Sequence, residues 1–194
     1  MASISRFLAR KLKVTVNTDK SRVVKAEECC FLGFTFTHKR LTVSEKALTR
    51  FKSELRRLTG RSWGVSMQRR YGEIRTYVQG WMNYFGIALK YNDAVEMDHW
   101  LRRRIRMCYW KQWRRARRRI GELIKLGAPR YQAILTGLSR KGYWHPVAGL
   151  REGSLRLAKT LSTNWGLGNE FLQRQGLTSI RSLWIGIHYP AKAR

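Results

Sequence analysis

Acidic residues are scarce in this chain. Only 12 Asp and Glu stand against 40 Lys and Arg, a formal charge of +28 over 194 residues. The only aspartates are Asp19, Asp93 and Asp98, and Glu27-Glu28 is the only adjacent acidic pair. Clustered carboxylates that hold Mg²⁺ for phosphoryl transfer are therefore not expected. No glycine-rich phosphate loop ends in Gly-Lys-Ser or Gly-Lys-Thr, and no Ser or Cys stands in a nucleophile motif. Gly166-Leu167-Gly168 reads as a turn. Cysteine is equally sparse. Cys29, Cys30 and Cys108 form no disulfide framework, which favours a reducing compartment. The four histidines are scattered, and ordinary strand and core cysteines explain the sulfurs better than a Cys29/Cys30/His38 metal site. No apolar run approaches the roughly 18 residues of a spanning helix, and no signal-peptide layout is expected at the start. No membrane partner is expected.

What the chain does have is a basic run from Leu101 to Ile120, reading LRRRIRMCYWKQWRRARRRI. It holds ten Arg or Lys, no acid, and the pair Trp110 and Trp113. A solvated helix face mixes charge signs. This one points to an anionic partner outside the chain, and nucleic acid is the one favoured by such a field. Arginine and lysine displace counterions from phosphates, and exposed aromatics stack on unpaired bases. The leading contacts are Arg102, Arg103, Arg104, Arg106, Lys111, Arg114 and Arg115. They cannot all face one groove, because successive helical residues point about 100° apart. Trp110 and Trp113 suit either packing or base contact, as do Tyr143 and Trp144 beside Arg140 and Lys141. At 43% hydrophobic and 12% aromatic, the chain can bury a core.

Periodicity organises the rest. Leu12–Val16 alternates as a half-buried strand, and Phe31–Thr37 reads as a second strand in which Gly33 marks a bulge or close approach. Arg40–Val43 closes a small antiparallel sheet. The pattern then changes to helical. Thr42 with Glu45 has capping-box spacing, and Ser44 is the alternative cap. Leu48, Phe51, Leu55 and Leu58 follow, with a stop at Gly60. A second helix from Ser66 carries Tyr71, Ile74, Val78, Trp81 and Phe85. A third from Asp93 carries Ala94, Met97, Leu101, Ile105 and Cys108, and the basic run continues it, with Arg117–Arg119 at or past a break. Pro129 starts a short helix through Leu138. Leu155–Leu161 and Leu167–Gln175 read as short helices, the second ended by Gly176.

Several of these segments together resemble one family. Leu12-Lys13-Val14-Thr15-Val16-Asn17 with Lys20-Ser21 is similar to a late palm segment reading LKLKVN followed by KS or KT. Phe31-Leu32-Gly33-Phe34 resembles the FLGF strand that supports the primer end. Gly80-Trp81-Met82-Asn83-Tyr84-Phe85 resembles a GWxNYF signature. Arg102-Arg103-Arg104-Ile105-Arg106 with Trp110-Lys111-Gln112-Trp113 is similar to RRRIR…WKQW, and Arg140-Lys141-Gly142-Tyr143-Trp144 to RKGYW. The chain looks like the C-terminal part of a bacterial group II intron reverse transcriptase/maturase.

That resemblance implies a mainly α fold with a small N-terminal antiparallel β remnant, a thumb-like three-helix bundle and short C-terminal helices. The implied domains are a late-palm remnant at 1–44, a thumb/maturase-specific domain at 45–126 and a basic extension at 127–194. It implies binding of group II intron RNA, or of an RNA–DNA template–primer duplex, in RNA splicing and mobility of the element. The family's polymerase site, a Tyr-Ala-Asp-Asp turn plus an earlier Asp, lies upstream of the LKVN segment. Polymerase activity is thus not expected of this chain alone, and no cofactor is expected. Mg²⁺ would enter only with a palm carrying those aspartates. Lys20 resembles a late-palm lysine and is expected to be idle or a phosphate contact. Two other readings stay open: half of a split polymerase completed by missing palm and fingers in trans, or a relic of a degenerate intron. A bacterial cytoplasmic location is expected.

Overall fold

A computed structural model describes residues 2–17, 21, 23–25, 29–37, 40–139 and 169–190. These belong to two compact units, Met1–Ala47 and Leu48–Arg194.

In the first unit, helix α1 (Ala2–Phe7) runs into a π-type turn, Leu8–Leu12. The strand expected at Leu12–Val16 does not form. Lys13 adopts φ 52°, and its N–H closes onto the carbonyl of Leu8, which ends extended geometry there. Among the described residues no strand pairs with this segment. The second expected strand is instead a hairpin. β1 (Cys30–Phe31) pairs antiparallel with β2 (Phe34–Thr37), in the register Phe31 opposite Phe34. The two-residue turn between them has φ 51° at Leu32 and φ 85° at Gly33. Positive φ at both central residues is the turn whose twist matches that of the flanking strands. Gly33 is therefore a turn residue rather than a bulge. β3 (Arg40–Val43) closes the sheet as expected, in the order β1-β2-β3.

Ser44, not Thr42, caps the first long helix, accepting the Ala47 N–H at 3.3 Å. Thr42 is occupied in the sheet, donating to the Thr35 carbonyl at 3.1 Å. This helix, α2 (Glu45–Leu58), buries Phe51, Leu55 and Leu58. α3 (Met67–Phe85) is capped by Ser66, which accepts the Arg69 N–H at 3.2 Å. It buries Tyr71, Ile74, Val78, Trp81 and Met82. Trp81 packs against Phe51 with ring centroids 4.2 Å apart and is buried, so it is a core residue. A 3-10 turn at Gly86–Ala88 leads to α4 (Tyr91–Gln112). The expected stripe of Ala94, Met97, Leu101, Ile105 and Cys108 is buried. α4 ends at Gln112, earlier than the basic run suggests.

α5 (Ala116–Lys125) and α6 (Arg130–Gly137) pack on each other, joined through Gly127 at φ 87°. α7 (Asn169–Arg174) stops at Gly176. A further helix, α8 (Ile180–His188), was not expected from the sequence. It packs against α3, the 3-10 turn and α4. Its Trp184 Nε1 donates to the Leu89 carbonyl at 2.7 Å. The architecture is mainly helical with a small N-terminal antiparallel sheet. Among the described residues no helix is long and apolar enough to cross a membrane.

Candidate nucleic-acid interface

α4 is a central helix, and this divides the basic run. From Ile105 to Trp110 every side chain is buried. Arg102 is 4% exposed and Arg106 5% exposed. They lie inside because a carboxylate is there to meet them. Asp98, one turn earlier, accepts from Arg102 Nε at 2.7 Å. The run is thus not without an acidic partner; Asp98 stands four positions before Arg102, just outside the run. Burial and the nearby Arg102 push the Arg106 guanidinium down to about 10, against the pull of Asp98.

The tryptophans are interior as well. Trp110 is 3% and Trp113 6% exposed, with ring centroids 6.4 Å apart. The expectation that Arg102, Arg106, Trp110 and Trp113 meet nucleic acid is corrected by this burial. A ring closed in the core offers no face to a base. Arg103 and Arg104 are half-buried. Arg104 Nε donates to Thr59 Oγ1 at 2.5 Å, its Nη2 to the Arg56 carbonyl at 3.3 Å, and its guanidinium lies 5.4 Å from the Trp100 ring centre. It fastens α4 to the end of α2. Arg140, Lys141, Tyr143, Trp144 and Lys20 lie outside the described residues. In the first unit Phe31 and Leu32 are 66% and 65% exposed, beside half-buried Gly33 and Phe34.

Lys111, Arg114 and Arg115 do face solvent, where α4 bends into α5. The bend is held from inside. Arg119 Nε donates to the Trp113 carbonyl at 2.8 Å and its Nη2 to the Arg114 carbonyl at 3.3 Å. The same guanidinium lies 4.9 Å from the Trp110 ring centre. These bonds satisfy carbonyls that a helix C-terminus leaves open. Outside the bend lies an open cleft of about 750 Å³ lined by Gln112, Arg114, Arg115, Arg117 and Arg118. All five are exposed. Among the described residues none of these four arginines has a carboxylate within 4.0 Å.

Residues 48–126 match the model of the family described as group II intron, maturase-specific domain. The chain carries a group II intron maturase-specific domain. No curated protein matches it significantly.

The maturase-specific domain spans α2 to α5, and so contains both the buried Asp98–Arg102 pair and the arginine cleft. Two cleft arginines, Arg117 and Arg118, were not among the expected contacts; they were set at or past a helix break, and the break comes earlier, after Gln112, which puts them in the first turn of α5 beside Arg114 and Arg115. The signal that could have found them is the first turn of α5. It holds the adjacent pair Arg117-Arg118 two residues after Arg114-Arg115. Among the described residues no three His, Cys, Asp or Glu side chains come together as metal ligands.

Proposed function

We propose that this chain is an RNA-binding thumb/maturase module of a group II intron-encoded reverse transcriptase. It binds intron RNA, or the RNA–DNA template–primer duplex, and has no polymerase activity on its own. The observation that carries the reading is the solvent-facing basic surface where α4 meets α5, inside the maturase-specific domain. The lack of an Asp-Asp pair supports the second half. Asp98 is committed to Arg102 and to a backbone N–H. The module needs no cofactor of its own and works in the bacterial cytoplasm. The test is binding of a structured intron RNA across a salt series. Each phosphate neutralised contributes roughly 0.7 to 0.9 to the log–log slope. Salt-insensitive binding, or none at low salt, sinks the proposal.

A second reading makes the chain half of a split RNA-directed DNA polymerase, active when complemented in trans by palm and fingers. It is favoured by the first unit, where no hydrophobic side chain among the described residues is buried. Such surface suits a missing partner. Mixing the chain with one carrying the Asp-Asp strand should restore primer extension. Failure in a mixture that forms a complex removes this reading.

A further inference from the structure

The cleft at the α4–α5 bend brings like charges together, and among the described residues no carboxylate lies within 4.0 Å of them. Arg114 and Arg115 lie in the three-residue bend, and Arg117 and Arg118 in the first turn of α5. A helix N-terminus already carries partial positive charge. Acids stand in that position on α2 and α4 and none on α3, α6 and α8, while α5 has the pair Arg117-Arg118 there. The N-cap position of α5 is Arg115, which makes no side-chain capping bond. Capping by Ser, Thr, Asp or Asn is the usual device, and Ser44, Ser66 and Ser179 supply it to α2, α3 and α8. At α5 both ordinary means of meeting the positive end are replaced by guanidinium groups. Those groups converge on one open volume of about 750 Å³ rather than spreading over the surface. Arg119, reaching back to the Trp113 and Arg114 carbonyls, fixes the bend that makes them converge.

We propose that this cleft is the phosphate grip of the module: consecutive phosphodiesters of an RNA backbone pass through it, held by Arg114, Arg115, Arg117 and Arg118. The inference rests on the RNA-binding reading and gives that reading a location. Guanidinium is the side chain whose planar fork matches phosphate oxygens two at a time. One diester carries a single negative charge, so a strand rather than one phosphate matches four arginines. Gln112 at the rim offers an amide to a ribose hydroxyl. Bases stay outside the grip. The grip is blind to sequence and reads the path of the backbone.

Two measurements on the full chain test it. In the first, Arg114, Arg115, Arg117 and Arg118 are all changed to Gln. A control changes Arg6, Arg10, Lys11 and Lys13, exposed residues of the first unit, to Gln, removing the same charge. At about 0.7 to 0.9 per phosphate, the cleft variant should lower the salt slope of RNA binding by roughly three units, and the control by less than half as much. Equal losses overturn the grip while leaving RNA binding intact. No RNA binding by the unaltered chain is the separate failure of the functional reading. The second measurement needs no variant. Arginine modification by phenylglyoxal, mapped by mass spectrometry, should be blocked by RNA at the four cleft positions. Continued modification of all four in saturating RNA overturns the proposal. Inorganic tripolyphosphate is run beside RNA. Protection by tripolyphosphate at concentrations where RNA gives none makes the cleft a site for free polyphosphate and also overturns it.

Discussion

Asp98 and Ile180, 82 positions apart in sequence, are joined by a buried hydrogen bond: Ile180 N–H donates to Asp98 Oδ1 at 2.8 Å. The other carboxylate oxygen meets Arg102. One side chain therefore neutralises an interior cation and anchors the first turn of α8. Asp98→Ala leaves Arg102 buried without its counter-charge and should cost about 3–5 kcal/mol, the range for breaking a buried pair on one side. Asp98→Asn keeps an acceptor for Ile180 and should cost less. Urea unfolding of both variants checks the order. Equal midpoints for Asp98→Ala and the unaltered chain would show the pair to be idle.

Arg119 and the carbonyl of Trp113 set the bend. Arg119→Ala removes two hydrogen bonds to the end of α4 and the contact over Trp110. A loss of about 1–3 kcal/mol is expected from leaving such carbonyls unmet. Arg119→Lys preserves charge but not the fork, and should recover only part of it. Denaturant midpoints for the two variants separate charge from geometry.

Gly137 lies where α6 crosses α5. A methyl group there would press on the Ile120 side chain and sit 3.4 Å from the Ala116 carbonyl. Gly137→Ala gains helix propensity, but overpacking should outweigh it by about 1–3 kcal/mol. The double variant Gly137→Ala with Ile120→Val should recover part of the loss in thermal melts. No recovery would place the clash elsewhere.

Alkaline pH should destabilise the second unit. Burial pushes the thiol of Cys108 and the phenols of Tyr71 and Tyr109 upward, and Tyr71 also donates to Tyr109 at 3.1 Å. In the folded state these groups keep protons that the unfolded chain releases, from about pH 9 for the thiol and about pH 10 for the phenols. Between those values and the raised folded ones, the unfolded state binds fewer protons, so stability falls as pH rises. Arg106 acts in the opposite direction above about pH 10, because its folded value is lowered. Three groups against one give a net fall. Denaturant midpoints from pH 8 to pH 10.5 should drop, and drop less in Cys108→Ala once its own packing loss is subtracted.

Much of the helical framework was readable in the residues. Ser66 before an apolar 3.6-residue stripe located the start of α3, the start of α2 was left between Thr42 and Ser44, and the stripe Leu101, Ile105, Cys108 marked the buried line of α4. Three features escaped for distinct reasons. The hairpin at Leu32-Gly33 escaped because a leucine at positive φ is not a turn signal. α8 escaped because its role rests on long-range bonds, Asp98 to Ile180 and Trp184 to Leu89, that no local pattern carries. The interior arginines escaped because charge was read as surface, while Asp98 stood just outside the run. At the site, Arg114 and Arg115 were found by composition. Arg117 and Arg118 needed the bend, which is a backbone event.

Arginine serves this protein as cement as well as charge. Arg70 donates to the Leu58 and Gly60 carbonyls at the end of α2, Arg119 does the same at the end of α4, and Arg75 meets the Gly176 carbonyl after α7. With Arg102 on Asp98, these cations are already engaged within the fold. The formal +28 therefore overstates what can meet phosphate. The number of ions released when this protein takes up RNA should track its outward arginines, not its net charge. Replacing its arginines with lysines, though electrostatically neutral, would loosen helix ends before it weakened any grip on a ligand.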